Sequence, residues 1–62
     1  MNIELLRKEF EEILTLEERA KHFYDHYIDQ LEDEDIKRQL EHIRNDEKLH
    51  IEIAKKLIEC VS

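Results

Sequence analysis

Three ionisable residues lie in the middle of two otherwise apolar heptad patterns. In the first half of the chain the exception is Glu17, and in the second half the exceptions are Glu47 and His50. An unpaired carboxylate in a protein core costs several kcal/mol or takes up a proton. Carboxylate oxygens together with imidazole nitrogens bind divalent iron, manganese and zinc. The three residues are therefore candidate metal ligands, and a bound cation would be the partner that makes their burial tolerable.

The positions around these residues alternate in steps of three and four, which is typical of one face of a helix. In the first half they are Ile3, Leu6, Phe10, Ile13, Glu17, Ala20, Tyr24, Tyr27 and Leu31, and in the second half Ile36, Leu40, Ile43, Glu47, His50, Ala54, Leu57 and Val61. Because neither alternation is broken, the sequence predicts two long amphipathic helices and an all-α fold.

The predicted organisation is a single domain over residues 1–62, with helix 1 over about 3–31 and helix 2 over about 34–60. Asn2 and Asp33 are suitable N-caps for the two helices. The chain has no glycine and no proline, so little of it is expected to form loop. A connection of about two to four residues makes the helices antiparallel neighbours, as in a helical hairpin.

In such a hairpin the three candidate ligands lie at one height. Glu17 precedes Asp33 by 16 residues, whereas Glu47 and His50 follow it by 14 and 17 residues. At a rise of about 1.5 Å per residue, all three side chains are roughly 24 Å from the turn. Glu47 and His50 also share a helix face, because they are three residues apart.

Composition narrows the possible partners. The net charge of −7 argues against nucleic acid and is compatible with a cation. No apolar run is long enough to cross a membrane. One cysteine, Cys60, and the absence of an apolar signal core in residues 1–10 predict a cytoplasmic location.

The apolar surface is wider than a pair of helices needs. Flanking apolar residues are Leu14, Leu16, Phe23 and Ile28 on helix 1 and Ile51, Ile53 and Ile58 on helix 2. A second hairpin related by a two-fold axis would cover this surface and form a four-helix bundle. The symmetry would double the ligands to four carboxylates and two imidazoles, and four carboxylates balance the charge of two divalent ions.

Two segments resemble a known group of proteins. Residues 17–24, EERAKHFY, resemble the E-x-x-A-[RK]-x-x-Y stretch of rubrerythrin-like and ferritin-like helices, and residues 46–50, DEKLH, resemble their D/E-E-x-x-H stretch. The separation of Glu17 from Glu47 and the two-helix length are most similar to the half-length encapsulated ferritins. The resemblance covers about residues 5–58.

The resemblance implies a ferritin-like four-helix bundle with a di-iron site across the dimer interface, where manganese or zinc is an alternative metal. It implies that Glu17, Glu47 and His50 are the catalytic ligands, that Glu47 bridges the metals, and that Tyr24 supports the ligands from one heptad away. The implied activity is that of a ferroxidase, which oxidises Fe(II) to Fe(III) for iron storage or detoxification.

Assembly beyond the dimer is also an implication of the resemblance. The encapsulated ferritins associate into larger even-numbered oligomers inside an encapsulin shell, which is a protein nanocompartment. Their targeting extension follows the helices and is not seen before Ser62. A shell as partner and a free-standing oligomer are both open.

Other interpretations of the same residues stand beside this one. A di-iron protein that scavenges peroxide or senses oxygen would use the same ligands, although no four-cysteine module of the rubrerythrin type is present. A structural dimerisation module would use Glu17 as a register device. Asp46 either holds an imidazole N–H of His50 or is solvated.

The remaining histidines and the cysteine have no assigned role. His22 and His26 are four residues apart and could bind a surface metal, although facing solvent or a neighbouring subunit is commoner for such a pair. His42 lies off the apolar pattern, and Cys60 is close to the end of helix 2.

Overall fold

The computed structural model describes residues 2–62, which form two antiparallel α-helices. The first, α1, spans Ile3–Gln30, and the second, α2, spans Glu34–Cys60. The described residues contain no strand, so the prediction of an all-α hairpin is confirmed. The hairpin is 48 Å long and only 14 × 13 Å in cross-section. Neither helix has a stretch both long and apolar enough to cross a membrane.

Side-chain caps define where both helices begin. The Asn2 carboxamide oxygen accepts a hydrogen bond from the Leu5 N–H at 3.1 Å. Asp33 Oδ1 accepts from the N–H groups of Asp35 and Ile36 at 3.0 and 3.1 Å. Each cap satisfies backbone donors that the first turn of a helix leaves unpaired. The expected caps are therefore the ones that the structure uses.

The turn is made without glycine. Leu31 follows the last residue of α1 and has extended backbone angles, φ −82° and ψ 140°. Its N–H still donates to the Tyr27 carbonyl at 3.0 Å, which closes the last turn of the helix. Only Leu31, Glu32 and Asp33 connect the helices, and this short connection keeps α1 and α2 side by side in antiparallel orientation.

The contact between the two helices is narrow. Of the residues that the structure describes, only Ile28, Ile51 and Ala54 are buried. The sequence pattern placed Ile28 and Ile51 at the flank of the apolar face, whereas they lie at its centre in the hairpin. The reason is that a helix with a single partner buries one stripe. This buried stripe is rotated from the heptad positions predicted to face the partner helix, toward Ile28 on α1 and Ile51 on α2.

That rotation leaves a second apolar stripe uncovered on each helix. We call this surface the open face. It consists of exposed residues of the heptad pattern, namely Ile13 and Tyr27 on α1 and Ile36, Ile43, His50 and Leu57 on α2, with Leu16, Phe23 and Ile53 along its edges. On α2 the four pattern residues recur at intervals of seven, which keeps them on one side of the helix. A single hairpin thus exposes an apolar surface along most of its length.

Polar contacts tie the helices together near each end. Near the turn, Asp25 Oδ1 accepts from Arg44 Nη1 at 2.9 Å, and Asp25 Oδ2 pairs with Lys21 Nζ at 2.6 Å. These two cations hold the pKa of Asp25 below its usual value. At the other end, the Arg7 guanidinium donates to the Val61 carbonyl at 2.9 and 3.3 Å. Arg7 thereby places a positive charge at the C-terminal end of α2, where the last turn has no basic residue of its own.

Candidate metal centre

The structure brings Glu17, Glu47 and His50 together. One ligand atom from each side chain lies within 4.8 Å of the other two. Glu17 comes from the middle of α1, and the other two residues come from the middle of α2. Because the helices are antiparallel and joined by three residues, the equal heights derived from the sequence become physical proximity. No further group of three potential ligands of this kind is found in residues 2–62.

The distances within the group fit a shared cation. His50 Nδ1 is 3.5 Å from Glu17 Oε2 and 3.9 Å from Glu47 Oε2. Both separations are long for a hydrogen bond. Two atoms that each lie about 2.1 Å from one divalent ion are about 3.0–4.2 Å apart, depending on the angle between the two bonds. The separations of His50 Nδ1 from the two carboxylate oxygens are therefore those expected for atoms that share one ion.

Glu47 Oε2 is the most unusual atom in the group. It is fully buried, and no donor among the described residues forms a hydrogen bond with it. Only 16% of the Glu47 side chain is exposed, compared with 26% for Glu17. A buried carboxylate oxygen without a partner is costly, because it has lost water and gained nothing in return. A cation bound between the three side chains would satisfy this oxygen.

The two carboxyl groups compete for negative charge. The pKa of Glu47 is raised above its ordinary value, chiefly by the side-chain interaction with the Glu17 carboxyl beside it. Burial and the charge of Glu17 act in the same direction, whereas His50 acts against them. Glu47 therefore takes up a proton at higher pH than an isolated glutamate does, and a divalent cation could replace that proton.

His50 lies at the boundary between the group and the open face. Its Nδ1 atom approaches the carboxylates, while 51% of its side chain is exposed. Beside it is a hollow of about 280 Å³ lined by Glu17, His50 and four aliphatic residues, Ile13, Ile53, Ala54 and Leu57. The group is therefore covered by protein on the side of the opposite helix and uncovered on the open face.

Tyr24 and Asp46 were expected to support the ligands, but neither forms a hydrogen bond with them in the described part of the chain. Tyr24 is half-buried on the same stripe of α1 as Glu17, and its hydroxyl forms no hydrogen bond with the described residues. Asp46 is exposed, and no hydrogen bond joins it to His50 in the structure of residues 2–62. It acts on the group through its charge, which adds to the raised pKa of Glu47. The hairpin gathers the three ligands without either supporting residue.

The sequence pattern treats the apolar heptad positions of each helix as one surface. It does not show that one half of this surface is covered by the other helix and that the other half is exposed. The signal was present in α2. Glu47 and Ala54 belong to the heptad position that faces α1, whereas Ile43, His50 and Leu57 belong to the other one. His50 is therefore the only candidate ligand on the uncovered half, where it can contact a neighbouring molecule.

Comparisons with protein families, curated proteins and solved structures found no match to this chain.

Proposed function

We propose that the chain is a ferroxidase of the ferritin-like type, which works as a dimer with a di-iron site between two hairpins. The observation that carries the proposal is the buried, unpartnered Glu47 Oε2 next to Glu17 and His50. Two carboxylates and one imidazole are hard-to-borderline ligands that suit Fe(II), with Mn(II) and Zn(II) as alternatives. The resemblance of residues 17–24 and 46–50 to ferritin-like motifs supports iron as the metal.

The open face supports a second copy as the partner. A core of three buried residues is too small to hold a hairpin of this length, and domains of this size usually need metal or association. A second hairpin laid on the open face would cover its apolar residues and make a four-helix bundle. It would also bring a second set of ligands to the exposed side of His50.

The position of the ligands suits this symmetry. Glu17 and Glu47 lie at the midpoints of α1 and α2. A two-fold axis through the centre of the open face therefore brings the two ligand groups to the same height in the bundle. This holds for an axis parallel to the helices and for one perpendicular to them. Four carboxylates and two imidazoles would then surround two ions, with no net charge left from carboxylates and metal. Coordination positions not taken by protein would be left for water and the oxidant.

In the proposed reaction Fe(II) is a substrate. Two Fe(II) ions each lose one electron, and the pair of electrons with two protons reduces dioxygen to hydrogen peroxide, or hydrogen peroxide to two waters. The protein holds the two ions at a fixed separation and excludes bulk water from them. The carboxyl pair of Glu17 and Glu47 can release a proton when a cation binds. The product Fe(III) would pass to storage or detoxification in a larger assembly, since a bundle of two hairpins encloses no storage volume.

Activity tests the proposal directly. On aerobic addition of Fe(II), the protein should produce Fe(III) at least about tenfold faster than buffer, which is a small part of the usual enzymatic acceleration. Glu17→Ala should remove most of this excess rate, because it removes one of the two carboxylates that hold each ion. The measurement is stopped-flow absorbance of Fe(III), repeated anaerobically with hydrogen peroxide as the only oxidant.

The control for this experiment is Glu18→Ala, which removes a neighbouring exposed carboxylate and should leave the rate unchanged. Oxidation by peroxide with none by dioxygen would indicate a peroxide-scavenging protein. Iron-loaded wild type that oxidises no faster than free Fe(II) would count against a ferroxidase and favour a sensor or a structural module.

Association can be measured separately. With metal present, we expect the smallest folded species at micromolar concentration to be a dimer, because a lone hairpin leaves the open face in water. Ile43→Lys should shift the protein toward an unfolded monomer, since it places a charge at the centre of the proposed interface. Sedimentation velocity and circular dichroism, on the same samples, report mass and helix content.

Leu49→Lys is the matched control for association. Leu49 is as exposed as the open-face residues but lies outside their stripe on α2, so this change should leave the dimer intact. A well-folded wild-type monomer with metal bound would contradict the dimer, and so would an equal effect of the two lysine variants.

A further inference from the structure

A pair of histidines on the outside of α1 is separate from the group of Glu17, Glu47 and His50. His22 and His26 are one turn apart and both are exposed. Neither imidazole forms a hydrogen bond or an ion pair with the residues that the structure describes. The His26 ring contacts the Tyr27 ring edge to face, with centroids 5.6 Å apart. Both imidazoles are therefore free to bind a ligand from solvent.

The spacing of these residues is that of a metal-binding pair. Side chains four residues apart lie on the same face of a helix, and paired histidines with this spacing hold zinc in helical metal sites. His22 and His26 are about 140° and about 180° around the helix axis from Glu17, because they follow it by five and nine residues at about 100° per residue. An ion between the two imidazoles would consequently be on a different side of α1 from the carboxylate group.

Acidic and basic side chains both lie near the histidine pair. The Glu18 carboxylate is one turn before His22, and both residues line a groove of about 530 Å³ on the polar side of the hairpin. The groove is also lined by Lys21, Lys48 and Lys55 and by the carboxylates of Asp25 and Glu52. The Lys21 ammonium group is paired with Asp25 at 2.6 Å, which reduces its repulsion of a cation. The net charge of −7 adds a general attraction for positive ions.

We propose that His22 and His26 form a second, solvent-facing metal site. Its donors are two imidazole nitrogens and water, so the ions it takes are late first-row divalent cations, Zn(II), Ni(II) or Cu(II). Exposed side chains change rotamer within nanoseconds, so the two rings can turn toward one ion. The site does not depend on the proposed ferroxidase activity or on the dimer.

Nickel titration tests this site. Substoichiometric Ni(II), which is paramagnetic, should broaden the imidazole proton signals of His22 and His26 in NMR spectra of the full chain. His22→Ala and His26→Ala should each weaken nickel binding at this site by at least about tenfold, because the second imidazole acts at a high effective concentration once the first is bound. Both positions are exposed and alanine favours helix, so the variants should keep their helix content.

Two further proteins make the result unambiguous. His42→Ala removes an exposed histidine that has no second histidine one turn away, and it should leave nickel affinity unchanged. Glu47→Ala removes a residue of the inner group, which is the group of Glu17, Glu47 and His50. Nickel should still broaden the NMR signals of His22 and His26 in this variant. The inference is overturned if nickel binding is unchanged in both single variants, if His42→Ala weakens it equally, or if Glu47→Ala abolishes it.

Discussion

Glu47→Ala is expected to reduce the tightly bound metal from one ion per chain to none. Glu47 carries the buried oxygen that has no other partner, and in a two-fold dimer its loss would remove a ligand from both halves of the site. Loss of a residue that merely supports a ligand costs about 10–100-fold in metal affinity. Loss of Glu47 itself should therefore weaken binding by more than about 100-fold. His50→Ala should have a similar effect, because it removes the only imidazole of the inner group.

The measurement is elemental analysis after desalting, supported by anaerobic titration with Fe(II) and with Mn(II). Glu18→Ala is the matched control, since Glu18 is exposed and adjacent to Glu17. If Glu47→Ala retained metal and Glu18→Ala lost it, the metal ligands would lie on a different face of each helix from the face that carries Glu17 and Glu47. A His22→Ala background keeps the proposed site of His22 and His26 from contributing to the measured metal content.

Glu17→Leu is expected to raise the unfolding temperature of the metal-free protein. The change keeps an apolar shape at a half-buried position and removes one of two carboxylates that crowd each other there. Replacing buried charge by apolar groups can stabilise a protein by about 1–4 kcal/mol. Because Glu17 is still partly exposed, we expect the low end of that range. About 1 kcal/mol corresponds to about 4–8 °C in a domain of this size.

The same variant should lose the stabilisation that metal gives wild type. A ligand that binds only the folded state at 100 times its Kd adds about 2.7 kcal/mol, and Glu17→Leu should gain only a small part of this. Thermal melts with chelator, and with Fe(II), Mn(II) or Zn(II), measure both effects. Glu18→Leu is the control, and it should keep the metal-dependent stabilisation of wild type.

Acidity provides an independent check on this prediction. Because the pKa of Glu47 is raised in the folded state, the folded protein holds a proton more tightly than the unfolded chain does. The metal-free wild type should consequently lose stability as the pH rises above the ordinary glutamate pKa and through the raised one. Glu17→Leu removes the main cause of that shift, so its stability should vary less over this window. A metal-free variant that melts below wild type would indicate that Glu17 has a structural role.

Much of the hairpin could be predicted from the sequence because its signals are local. The unbroken three-and-four alternation, the capping residues Asn2 and Asp33, and the absence of glycine and proline determine two helices and one short turn. The grouping of Glu17, Glu47 and His50 follows from counting residues to that turn, because helical rise is constant. These features do not depend on how side chains pack.

The rotation of each helix could not be predicted in the same way. Apolar residues cover a wide arc of both helices, so the pattern allows any of several stripes to face the partner helix. Packing in the hairpin selects the stripe through Ile28, Ile51 and Ala54, and this choice leaves His50 half-exposed. For the same reason the open face could not be predicted. A sequence does not distinguish an apolar residue that is buried within one chain from one that is exposed and available to bind another molecule.

The central height of the ligand group has a consequence for motion. Helix ends open and close far more readily than helix centres. At the end farthest from the turn, the polar contact between the described parts of the two helices is that of Arg7 with the Val61 carbonyl. Glu17 and Glu47 lie at the midpoints of their helices, about equally far from the two ends of each. Amide hydrogens near the two glutamates should exchange with solvent most slowly, and those of the outer turns fastest. The ligands would then keep their spacing while the ends of the helices unravel and re-form.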